Sequence, residues 1–129
     1  ISSKKYEDAL TLKGYENISS IATGLFVSIV EECLEDTQIL DKTLEHYFDN
    51  LPKIDAVILG CTHFPLIEHK ISKYLKEPIT IHSGEAIVEL LKLNYNCTNN
   101  FKNTNVQFFA SENPDGLKKI AKRWLGELI

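Results

Sequence analysis

Apolar positions along the chain recur at two spacings, and the spacings alternate. Residues 3–13 show helical spacing closed by Gly14, with Ser2 or Ser3 as a candidate cap. Asn17 to Thr23 reads as a short strand. In LFVSIVEECLED, 25–36, apolar residues fall at Leu25, Phe26, Ile29, Val30, Cys33 and Leu34, a helical stripe despite its β-branched content. A helix over about 41–50 turns Leu44, Tyr47 and Phe48 inward and stops before Pro52. IDAVILG, 54–60, is short, continuous and β-branched, the pattern of a central parallel strand covered on both faces.

Beyond Gly60 the spacing becomes helical again. Pro65 suits a first helical turn, with Leu66, Ile67, Ile71 and Tyr74 after it. PITIHS, 78–83, predicts another strand, and Ser83 a cap for a helix over 84–95. NCTNNFKNTN, 96–105, is a polar turn or loop. Val106 to Ala110 reads as a strand, and 113–127 as a helix with Leu117, Ile120, Ala121, Trp124 and Leu125 on its apolar side. Strands alternating with helices predict an α/β fold, a parallel sheet flanked by helices.

Composition narrows the classes. The 129 residues are 43% apolar and 25% charged, enough for a real core and unlike a disordered chain. A formal charge of -4 without a basic block excludes nucleic acid as a partner. No apolar run is long enough to cross a bilayer and no secretory signal is visible. Cys33, Cys61 and Cys97 form no paired spacing, which points to a reduced, cytoplasmic setting. The chain has no methionine and begins at Ile1, so a longer parent protein is expected.

The chemistry-bearing stretch is LGCTHFPLI, 59–67, between the buried strand and the Pro65 helix. Ligands gather at the carboxyl ends of strands in open α/β sheets, and helix amino termini favour anions. Gly60 permits a tight turn and close backbone approach. Cys61 is a thiol near a helix start, a place that biases it toward thiolate. Thr62 offers a hydroxyl and His63 a proton carrier. A cysteine after a buried strand also packs as a small core residue. No second ligand pair accompanies Cys61 and His63, so no metal is expected.

GCTHFPLI with its preceding strand resembles the second cysteine motif of bacterial glutamate racemases, in the aspartate/glutamate racemase superfamily. SIATGLFVSIVEE (20–32) resembles the family stretch leading into a Phe-Val-Pro-Leu-Val-Glu pattern, IHSGEAIVELL (81–91) a later Ser-Gly segment with a helix, and VQFFASENPDGLKKIAKRWL (106–125) the carboxyl-terminal strand and helix, in the family's order. The resemblance implies racemisation of L- and D-glutamate without cofactor or metal, supplying D-glutamate for peptidoglycan synthesis. Two cysteines would face the α-carbon from opposite sides, because the carbanion must be reprotonated on the face away from the base. It implies Cys61 as one acid/base residue, His63 as its helper, Glu31 as the residue orienting His63, and Thr62 as the holder of the substrate α-carboxylate. Glu31 also reads as an ordinary solvated helix carboxylate.

The family's Asp-Ser and Cys-Asn-Thr motifs are absent, so the resemblance covers a carboxyl-terminal portion only. Residues 1–79 would be most of the second α/β domain, with its first strand missing. Residues 80–129 would pack on an absent amino-terminal domain, leaving an exposed apolar face over 84–125. The partners implied are glutamate and the missing half of the same protein, with a homodimer left open. Ser28 and His82 depart from the family's usual proline and aspartate. Cys33 is expected to pack on a helix face, and His46 and His69 to lie on the surface. One motif-matched thiol predicts that this chain alone is inactive. The competing readings are an aspartate- or hydantoin-type racemase and a non-catalytic binding or assembly fragment.

Overall fold

The computed structural model describes residues 3–95, 107 and 109–125. Helix α1 spans Lys5–Leu12 and ends where Gly14 turns left-handed, its N–H donating to the Thr11 carbonyl. Its amino-terminal cap is Lys4, with no side-chain hydrogen bond, so Ser3 does not cap it; Ser2 lies outside the described residues. Asn17 to Thr23 is not a strand. Asn17 adopts φ 57° and no neighbouring strand pairs with the segment, so it runs irregularly, with Thr23 buried and Ile21 against the core.

Helix α2 is Leu25–Glu31, shorter than its apolar spacing predicts. Cys33 takes φ 59°, and the Leu34 N–H returns to the Ile29 carbonyl at 2.8 Å, wrapping the helix end. Cys33 is consequently exposed, not packed on a helix face. Helix α3, Gln38–Phe48, starts earlier than expected because Thr37 caps it, its hydroxyl accepting from the Ile39 N–H. Leu40, Leu44 and Phe48 are buried and Tyr47 packs beside them.

Strand β1, Ala56–Leu59, leads through a turn into a 3₁₀ segment, Phe64–Ile67, and helix α4, Glu68–Tyr74. Pro65 sits at the start of the 3₁₀ turn, where its missing N–H costs nothing. Strand β2, Ile79–His82, returns parallel to β1 with Ala56 opposite Ile79 and Leu59 opposite His82. Helix α5, Ser83–Asn94, begins directly from His82, so Ser83 is its first residue and not its cap. Helix α6 is Pro114–Leu125. The stretch 96–105, including Cys97, lies outside the described residues, as do 106 and 108 of the expected strand at 106–110; Gln107, Phe109 and Ala110 are not in a strand.

Among the described residues the sheet has two strands, which corrects the expectation that β1 is central and covered on both faces. Leu59 is buried and Val57 packs on the core formed by Phe26, Ile29, Val30, Leu40, Leu44, Ile67 and Ile71. The alternate positions Ala56, Ile58, Ile79 and Ile81 are exposed. No helix among the described residues is long and apolar enough to cross a membrane.

Candidate functional site

The carboxyl end of β1 places Gly60 and Cys61 at the sheet edge. The Cys61 carbonyl accepts from the Phe64 N–H at 3.2 Å, and the His63 carbonyl from the Leu66 N–H at 3.1 Å. These two bonds curl the chain sharply just beyond the strand end. Gly60 does not use positive φ, and a Cβ there would meet only Tyr6 Cε2 at 4.0 Å. The turn itself therefore does not demand glycine.

Three residues singled out in the sequence come together. Cys61 Sγ lies 3.7 Å from His63 Nδ1. His63 Nε2 lies 3.2 Å from Glu31 Oε1, across 32 residues of sequence. Glu31 reaches the imidazole because α2 ends there, beside the 3₁₀ turn it packs against. The His63 side chain is 24% exposed and that of Glu31 54%, so the pair is wet and contributes at most about 1 kcal/mol. Both ring nitrogens of His63 are engaged, one by the thiol and one by the carboxylate. This arrangement can pass a proton between sulfur and imidazole while the carboxylate fixes the ring.

Thr62 is exposed at the same strand end and joins neither contact. His46 and His69 are exposed, as the pattern predicted. His82 lies opposite Leu59 in the sheet register, one residue before Gly60. Its Nε2 is 3.8 Å from Glu68 Oε2 and 3.7 Å from Glu85 Oε1. Gly84 leaves room for that ring, since a Cβ there would stand 3.1 Å from His82 Nδ1. Among the described residues, no group of three or more His, Cys, Asp or Glu side chains is arranged to hold a metal ion.

Two neighbours of the site escaped the sequence reading. Trp124 on α6 packs perpendicular to the His63 ring, with centroids 6.2 Å apart and planes at 84°. Arg123, the residue before it, pairs with Glu35 just beyond α2. Apolar spacing marks Trp124 as inward-facing, but no local signal says which surface it meets.

No family model matches the chain. Glutamate racemase from Nitratiruptor sp. is 52% identical over 126 residues, covering 97% of this chain and 49% of that protein. Glutamate racemase from Campylobacter jejuni is 43% identical over 129 residues, covering 99% of this chain and 52% of its own length. The crystal structure of glutamate racemase from Campylobacter jejuni superposes with a TM-score of 0.88 at 43% identity, over 99% of this chain and 52% of that one. Glutamate racemase from Thermus thermophilus, in complex with beta-chloro-D-alanine, matches at TM-score 0.70 and 26% identity, over 91% and 47%. The chain spans about half the length of the curated relatives it matches.

Proposed function

Because the chain belongs to the glutamate racemase family, of which it spans about half, we propose that it is the carboxyl-terminal half of an enzyme that interconverts L- and D-glutamate. The observation that carries the reading is the linkage of Cys61, His63 and Glu31 at the end of β1 in a chain with such relatives. Cys61 acts as thiolate on one face of the substrate α-carbon. It takes the α-proton, the electron pair stays on carbon, and a thiol from the other half returns a proton to the opposite face. Run in reverse, Cys61 is the donor. His63 holds the proton that Cys61 gives up between turnovers, and Glu31 keeps the ring aimed. Thr62, exposed at the strand end, receives the α-carboxylate. No cofactor or metal takes part, and the product serves peptidoglycan synthesis in the cytoplasm. Relatives named for glutamate favour that substrate over aspartate or a hydantoin.

Residues 1–79 form most of one α/β domain, and the outer face of α5 packs on the amino-terminal half, whereas α6 meets residues 1–79 through Trp124 and Arg123. The exposed Ile87, Val88, Leu90 and Leu93 of α5 support this division. The test is Cys61→Ser in the protein containing both halves. Racemisation should fall by roughly 10³-fold, the range of positioned acid–base catalysis, with circular dichroism of the fold unchanged. Retained activity would remove Cys61 from the mechanism.

A further inference from the structure

Helix α6 touches the site at two consecutive residues, and each touches a different part of it. Trp124 stands perpendicular to the His63 ring. Arg123 pairs with Glu35, which follows the helix that presents Glu31. The Glu35 side chain is only 16% exposed, and its second oxygen is buried without a hydrogen-bond partner. A carboxylate so placed depends heavily on its one cation, so the pair resists opening. Ala121, one turn earlier on α6, is buried and extends the same seat.

We propose that Trp124 is a positioning residue for His63, held in place by the Arg123–Glu35 pair. The proposal rests on the racemase reading for its catalytic consequence, though not for its geometry. His63 is gripped at three points: Cys61 at Nδ1, Glu31 at Nε2 and Trp124 against the ring. The two polar grips are long or wet, at 3.7 Å and 3.2 Å, and hold the imidazole loosely by themselves. An aromatic ring at 84° to the imidazole restricts its rotation. One helix thus braces the imidazole through Trp124 and the carboxylate-bearing segment through Arg123.

The experiment uses the protein containing both halves and measures the alkylation of Cys61 by iodoacetamide at pH 7 and pH 10, read by peptide mass spectrometry. The ratio of the two rates cancels changes in access and reports how well His63 sustains the thiolate. Trp124→Ala and Arg123→Gln should each lower the ratio by about threefold or more, and Trp124→Phe should keep it, because an aromatic ring remains. In the racemase assay the same two variants should lose kcat with KM changed less than about twofold, the mark of an effect on chemistry and not on binding. An unchanged ratio in Trp124→Ala overturns the proposal, as does a Trp124→Phe loss equal to that of alanine. If the unaltered protein does not racemise glutamate, the racemase reading fails while the alkylation ratios still decide the role of Trp124.

Discussion

The two faces of the β1–β2 sheet carry similar apolar side chains and meet opposite fates. On one face Val57 and Leu59 sit against Ile67, Ile71 and the α2–α3 pair, where Phe26, Leu40, Ile67 and Ile71 are at most 1% exposed. On the other, Ile58, Ile79 and Ile81 are 38%, 69% and 44% exposed. Helix α5 repeats the contrast: it has no buried residue, whereas α3 buries four. Parallel sheets are normally covered on both sides. Hydrophobicity alone therefore does not decide which side chains are covered among the described residues. What decides it is whether an element such as α2, α3 or α4 lies against that face.

Substitutions on the two faces should separate sharply. Leu40→Ala empties a site with no exposure and should cost about 2–5 kcal/mol in urea unfolding of this chain. Ile79→Ser should cost less than about 0.5 kcal/mol in the chain alone, yet about 1–2 kcal/mol where the other half is present. Equal losses in both settings would break the comparison. On the packed side, Thr37→Ala removes the α3 cap and should cost about 1 kcal/mol by the same measurement.

The smallest effect concerns the edge of the packed side. A hydrogen bond from Ser20 holds the Glu7 carboxyl below its ordinary range, helped by its own backbone and nearby positive charge. The folded value is depressed, so the stabilisation is present above the unfolded carboxyl pKa and is lost as pH falls through the folded value. The protection of α1 against hydrogen exchange, corrected for the intrinsic exchange rate at each pH, should therefore fall slightly in acid, and Ser20→Ala should remove that pH dependence.

Much of this was legible in the sequence. The pairing of β1 with β2 follows from two β-branched runs flanking a helical one, and Pro65 marked the turn into the helix. The Cys61 and His63 cluster was local, two residues apart, and Glu31 followed from the family resemblance. Other features were hidden for physical reasons. The end of α2 at Glu31 depends on a left-handed Cys33, which apolar spacing through Leu34 conceals. The 17–23 segment has strand-like residues but no strand to pair with among the described residues. The Arg123–Glu35 contact joins residues 88 positions apart, and nothing in either neighbourhood announces it.

On the proposed function, this chain holds one face of a two-sided site, with Cys61 as its thiol. The direct measurement is circular dichroism of L-glutamate incubated with the purified 129-residue chain, beside the protein containing both halves. The account predicts no inversion by the chain alone and full racemisation by the longer protein, lost on Cys61→Ser. Robust conversion to D-glutamate by the homogeneous chain, abolished by Cys33→Ala or Cys97→Ala, would contradict it by placing the second thiol within these residues.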